Sequence, residues 1–347
     1  MGRVIKPWLQ LFRVPNLPTA VGDAVAGGAM VAFLVFGKGV PGSVVAVALA
    51  AGAAELLLYL GGLADNDLVD EEADRAAGSS RPLATGALSR RAVRIARAAC
   101  FAAAAAVGLA FRLGAGWWGC VAGVAAAILA YDRVKERLPR LGFLLMGLCR
   151  GLAVVSGAAA VAGVVPPEAV EWYDAVTSTL DVAWIASVAP MALGWTLYTA
   201  AVTKLGAGEE RAAGPMGQRR YVPALFALVP VAFWCLGLVL TATAAILHPG
   251  SLRGSLPSFG PLVPILGCLA AAATWCAAVW PLGEPHGPRE RGRAVGRAIG
   301  GLLWMQTGFL CFWGHGVPPG PAFVGLAAAC WIARLAIRRA WPAITGS

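Results

Sequence analysis

Residues 63–87 read LADNDLVDEEADRAAGSSRPLATGA and follow directly on an apolar stretch at 49–63. Asn66, Asp70 and Asp74 recur every fourth residue, so a continuing helix places all three on one stripe, one turn apart. Asp67 sits beside that stripe. Carboxylates this close repel one another unless a cation lies among them. Hard carboxylate and amide oxygens suit Mg2+, an ion that keeps some waters and usually shares its shell with substrate phosphates. Arg75 and Arg81 come next, and guanidinium groups can take up the diphosphate oxygens that a metal leaves free. A solvated acidic loop capping a helix is the alternative for any acidic run. The position of this one, at the end of an apolar segment, favours a metal site.

Composition decides the solvent. Of the 347 residues, 59% are hydrophobic and 13% charged, and the mean hydropathy is +0.71. A soluble chain carries about twice that charged fraction. The expectation is a polytopic transmembrane bundle of the all-α class. Net charge is +10, but the basic residues lie between apolar segments and form no single patch. Membrane orientation explains them without any nucleic acid. The eight cysteines lie in or beside apolar segments with no CxxC pair, which argues against disulfides and zinc. His248, His286 and His315 are far apart and make no ligand cluster.

Residues 1–18 alternate Arg3, Lys6 and Arg13 with Trp8, Leu9, Leu11 and Phe12, an amphipathic run expected at the cytoplasmic surface. Residues 19–340 form one transmembrane domain, and 341–347 a tail. Ten spans are expected, at 19–36, 43–64, 93–111, 116–131, 141–165, 182–203, 222–247, 261–280, 295–312 and 321–337, or nine if the last apolar block does not cross. Loops after the even spans are rich in arginine and lysine, while the loop after the fifth carries Glu168, Glu171, Asp174 and Asp181. The alternation follows the positive-inside rule, with the N-terminus cytoplasmic.

That topology puts the acidic stripe and the run YDRVKER at 131–137 on the same cytoplasmic side. Lys135 and Arg137 are candidate diphosphate partners, or else plain positive-inside charge. The third cytoplasmic loop, LYTAAVTKLGAGEER at 197–211, offers Tyr198, Lys204, Glu209 and Glu210 to a second cation-binding element.

NDLVDEEAD followed by RPLATG resembles the first aspartate-rich motif of the UbiA superfamily of intramembrane prenyltransferases. LFRVPNLPTAVGDAVAG resembles that family's first helix, with Arg13, Asn16 and Asp23 in matching places. Tyr131 and Lys135 resemble its tyrosine–lysine motif. The resemblance implies a helical bundle, usually of nine spans, with a cavity opening sideways to lipid. It implies Mg2+ on Asn66, Asp70 and Asp74, with Asp67 a further candidate ligand beside them, and an isoprenoid diphosphate donor held by Arg81 and Lys135, with Arg75 a further candidate for its oxygens. Tyr131 and Lys204 belong to the expected substrate site, with Asn16 and Asp23 near the donor headgroup. An allylic carbocation is then captured by an aromatic or other small hydrophobic acceptor. No side-chain nucleophile is needed, and the chain has no Ser/His/Asp or Cys/His arrangement.

The second aspartate motif of the family is missing, because TAAVTKLGAGEERAAG contains no aspartate. Glu209 and Glu210 replace it only if their loop folds back. The chain thus resembles a divergent branch, similar to members found in bacterial secondary-metabolite clusters, and the implied location is the bacterial cytoplasmic membrane. A terpene cyclase on the same scaffold, or a non-catalytic isoprenoid-binding or transport protein, needs the same pocket and stays open as an alternative. Inside the bilayer, Glu55 shares the stripe about 16 Å deeper than Asn66. It either positions or deprotonates an acceptor, or is a neutral group bonded to a neighbouring helix. Arg150 is either a cavity cation or a partner for Glu55 or Asp23.

Overall fold

Long runs of alanine, glycine, valine and leucine leave the backbone no partner in a bilayer but itself, so each run closes into a helix. A computed structural model describes residues 2–36, 40–165, 180–207, 216–232, 262–284, 286–313 and 327–336, and among them there are helices but no strands. The helices are α1 (Gly2–Leu11), α2 (Leu17–Phe36), α3 (Gly42–Ala76), α4 (Arg90–Ala110), α5 (Ala115–Val134), α6 (Pro139–Ala162), α7 (Leu180–Gly206), α8 (Leu262–Val279) and α9 (Pro288–Trp313). A short apolar helix, α10 (Ala327–Ala336), follows. Among the described residues, α3, α4, α5, α6 and the stretch Ile265–Gly283 are long and apolar enough to cross a membrane.

Two of the boundaries that differ from the sequence expectation do so for a clear local reason. The second span was expected to end at residue 64, but α3 runs on to Ala76. Residues 65–76 contain no glycine or proline, so nothing stops the helix at the membrane edge. The seventh apolar segment opens as a 3-10 stretch, Gln218–Leu228, with Pro223 inside it. Proline has no N–H for an i→i−4 bond, which disfavours the α-helical ladder there. Residues 233–247 of that segment lie outside the described residues.

The bundle is built around α6, which packs against α2, α3, α5 and α7. Its crossing with α2 requires glycine on both sides. A Cβ on Gly27 would sit 1.9 Å from the Val154 carbonyl oxygen, and one on Gly157 would sit 1.8 Å from that of Ala24. Small residues of this kind let helix backbones meet closely in a membrane.

At the polar end of α3, the amphipathic α1 folds back onto the bundle. Leu11 is buried with Ala64, Leu68, Leu83, Leu88 and Val93, and Trp8 and Phe12 pack against them. This small apolar cluster anchors the loop that follows α3 through Leu83, which is 2% exposed. Burying one leucine contributes about 2 kcal/mol, so α1 serves to hold that loop in place.

Candidate active site

The extension of α3 carries the acidic stripe out as real helix. Asn66 Nδ2 donates to Asp70 Oδ2 at 3.0 Å, one turn along. Beyond Ala76 the chain turns back sharply. Gly78 adopts φ +66°, its N–H donates to the Arg75 carbonyl at 3.2 Å, and the Ser79 N–H donates to that of Asp74 at 2.9 Å. This paired closure of a helix end favours glycine at the left-handed position. It reverses the chain so that Arg81, only a few residues on, points back at the stripe.

Arg81 is the centre of the cluster. Its Nη1 lies 2.9 Å from Asp74 Oδ2, 3.3 Å from Asp70 Oδ2 and 3.7 Å from Asp67 Oδ1. Burial works against the guanidinium, but Asp67, Asp74 and Asp70 together hold its pKa above the ordinary value. Arg81 therefore stays cationic at any working pH.

A second cation arrives from α5. Lys135 caps that helix and places Nζ 2.6 Å from Asp70 Oδ1 and 2.8 Å from Asn66 Oδ1. It also lies 3.2 Å from Asp132 Oδ1 and 5.3 Å from the centroid of the Tyr131 ring. Burial works against its ammonium too, yet Asp70 and Asp132 outweigh that and raise its pKa. Within this group, Asp67, Asp70, Asp74 and Asp132 outnumber Arg81 and Lys135. Asp132 is a member that the motif reading passed over. Its signal is its place one turn before Lys135 on the same helix.

Arg13 joins this group from the N-terminal side. It stands exposed in the left-handed region at φ 43°, ψ 51°, where the chain turns from α1 towards α2, and it lies close enough to act electrostatically on both Asp67 and Tyr131. A bulky residue held there is uncommon. Asn16 ends the short 3-10 turn that follows, and its carbonyl accepts from the Thr19 hydroxyl at 2.7 Å.

Several candidates lie elsewhere. Arg75 points to the other side of α3, where its Nη2 meets Glu71 Oε1 at 2.8 Å and its side chain is 57% exposed. Asp23 and Arg150 do meet, but deep in the bundle. Arg150 Nε lies 2.8 Å from Asp23 Oδ2, and Trp195 Nε1 donates to Asp23 Oδ1 at 2.7 Å. Gln306 bonds the same oxygen and also donates to the Thr19 carbonyl at 2.8 Å. This network joins α2, α6, α7 and α9. Glu55 is buried near it and accepts from the Ser156 hydroxyl at 2.7 Å. Arg150 is thus the partner of Asp23, while Glu55 bonds a neighbouring helix.

Tyr198 is fully buried, and its hydroxyl donates to the Ala298 carbonyl at 2.9 Å; it ties α7 to α9 and makes no contact with the acidic stripe in any bond described. Lys204 is exposed in the last turn of α7. Glu209 and Glu210 lie outside the described residues.

The donor set can be tested against a divalent cation. Asn66, Asp67, Asp70 and Asp74 supply only hard oxygens, which is the chemistry Mg2+ selects. Among the described residues, no three His, Cys, Asp or Glu side chains converge tightly enough to hold a metal by themselves. Three of the carboxylates converge instead on one nitrogen of Arg81. The residues therefore fit Mg2+ in chemistry and in their surplus of negative charge, with Arg81 and Lys135 seated among them.

No curated protein matches the sequence. The fold is similar to that of a structure reported for digeranylgeranylglyceryl phosphate synthase in membranes, which is 14% identical over 89% of this chain and 98% of that one, with a TM-score of 0.51. A UbiA homolog from Archaeoglobus fulgidus bound to DMAPP and Mg2+ is 12% identical over 95% of this chain and 98% of its own, with a TM-score of 0.49. The model of the UbiA prenyltransferase family matches residues 18–294, a span that includes the acidic stripe, the RPLATG turn and the Tyr131–Lys135 pair. The chain belongs to the UbiA prenyltransferase family.

Proposed function

We propose that this protein transfers a prenyl group, within the membrane, from an isoprenoid diphosphate to an aromatic or other small hydrophobic acceptor, using Mg2+. The observation that carries this reading is the meeting of Arg81 and Lys135 on Asp70, from two separate elements. Two fixed cations beside a carboxylate stripe make a seat for a diphosphate. Family membership supports the reaction class, and the α3 extension supports a site at the membrane edge.

In this scheme Asn66, Asp67, Asp70 and Asp74 would hold Mg2+, which would add Lewis-acid stabilisation to the charge on the diphosphate. Arg81 and Lys135 donate to diphosphate oxygens and stabilise the negative charge that grows on them as the allylic C–O bond breaks. The electron pair of that bond leaves with the diphosphate. The acceptor supplies the pair for the new bond and afterwards loses a proton. Apolar surroundings keep water from capturing the carbocation first. Tyr131 borders Lys135 and closes one side of the headgroup seat. Arg13, placed beside Asp67 and Tyr131, adds a third positive group at the entrance.

The test is to incubate membranes containing the protein with Mg2+ and a panel of labelled allylic diphosphates, following diphosphate release and prenylated products. Consumption of at least one donor, abolished by Asp70→Ala, is the expected result. Diphosphate release with a cyclic hydrocarbon as the only product would assign the cyclase reaction instead.

A further inference from the structure

Helices α4 and α5 pack against α3 as a two-helix unit with a short turn. At its turn they are tightly joined, since a Cβ on Gly108 would lie 2.2 Å from the Trp117 ring. At the other end they border a cavity of about 450 Å3. Arg90, Arg94 and Arg97 enter it from one face of α4, and Arg133 enters it from α5. Its floor is α3, with Leu68 and Val69 beside Asp65 and Glu72.

The charges there are only partly balanced. Arg97 pairs with Asp65, and Arg90 Nη1 lies 2.6 Å from Glu71 Oε2 on the rim. Arg133 donates to the Leu129 carbonyl at 2.6 Å. Among the described residues, neither Arg94 nor Arg133 is in an ion pair with a carboxylate. Glu72 offsets part of their charge, and the cavity stays net basic.

Apolar side chains adjoin this basic end. Val69, which lines the cavity, is 49% exposed, and Leu129, one turn before Arg133 on α5, is 38% exposed. A free anion has no use for such a border. An amphiphile with an anionic head and a hydrocarbon tail matches both parts, and basic pockets between membrane helices recognise lipid phosphates.

We infer that the groove between α3, α4 and α5 binds an anionic phospholipid of the leaflet at the acidic-stripe end. The phosphate lies between Arg94 and Arg133, and an acyl chain runs past Val69 and Leu129. Arg90 and Arg97 are held by Glu71 and Asp65 and shape the walls. The site is separate from the diphosphate seat, and α3 and α5 are the elements they share.

The experiment uses the full-length protein in nanodiscs of phosphatidylcholine with about one quarter phosphatidylglycerol, extracted into detergent and weighed intact by native mass spectrometry. Retained phosphatidylglycerol is expected in the wild type. The double variant Arg94→Ala/Arg133→Ala should bind it roughly 25-fold more weakly, about fivefold for each arginine removed. The charge-keeping variant Arg94→Lys/Arg133→Lys should stay within about twofold of wild type, which separates loss of charge from loss of fold. Leu129→Asp, which leaves both arginines, should also lose retention, whereas excess inorganic phosphate should not displace the lipid. Equal retention of phosphatidylglycerol and phosphatidylcholine, undiminished retention in the double alanine variant, or displacement by inorganic phosphate would each overturn the inference.

Discussion

Lys135 places Nζ 2.6 Å from Asp70 Oδ1, while Arg81 places Nη1 3.3 Å from the other oxygen of the same carboxylate. One carboxylate thus links the end of α5 to the loop after α3. The three groups form a unit whose members do not act independently, so single substitutions are not expected to add.

Lys135→Met removes one fixed donor from the diphosphate seat. Diphosphate release should fall about 100-fold, the usual effect of deleting one preorganised donor. Lys135→Arg should restore only part of it, because a planar fork does not replace a point charge aimed at both Asn66 and Asp70. Turnover of an active donor, measured in membranes, checks both variants.

Arg75 and Arg81 are close in sequence and opposite in placement. Arg75→Ala should leave turnover within about twofold, since an exposed i,i+4 ion pair contributes only ~0.5 kcal/mol. Arg81→Ala leaves Asp67, Asp70 and Asp74 facing one another without their shared cation, and turnover should drop by about 100-fold or more. Equal losses in the two variants would contradict the placement.

Arg13 holds its charge at a left-handed backbone position. Arg13→Gly removes the charge and relieves the backbone at once, so the variant should be as thermally stable as wild type or slightly more so. Its KM for the donor should nevertheless rise by about fivefold at low salt, and by less at high salt, where exposed charges are screened. Thermal melting and donor titration on one preparation separate the two effects.

The deep network makes a prediction about stability. Arg150→Met leaves Asp23 buried without its cation and should destabilise the protein by about 3–5 kcal/mol. Asp23→Asn in the same chain should recover part of that loss. Thermal unfolding in detergent of the two singles and the double measures the coupling.

The stripe was legible because every fourth residue on a helix shares a face, and the helix does continue through Asn66, Asp70 and Asp74. RPLATG was legible as a motif, but its geometry was not. What turns Arg81 back is the left-handed Gly78 and the burial of Leu83 beneath α1, a contact between segments that periodicity does not encode. For the same reason, sequence order alone treated Arg75 and Arg81 alike. Asp132 stayed hidden as one acid among the charges of YDRVKER until Lys135 bonded it. The deep cluster was half legible: depth in the bilayer flagged Glu55 and Arg150 as costly and the family resemblance flagged Asp23, but which of them pair depends on how α6 crosses α2 and α3. Tyr198 was considered for a second cation-binding element because of its place near the end of α7. The packing of α7 against α9 claims its hydroxyl for Ala298.

The most direct test of the acidic stripe as a Mg2+–diphosphate seat compares wild type with Asp70→Ala and Asp74→Ala in membranes supplied with labelled allylic diphosphates. Wild type should consume a donor with Mg2+ present and stop when the metal is chelated, and both variants should lose nearly all of that activity. A wild-type protein that neither binds nor consumes any donor, or variants as active as wild type, would contradict it.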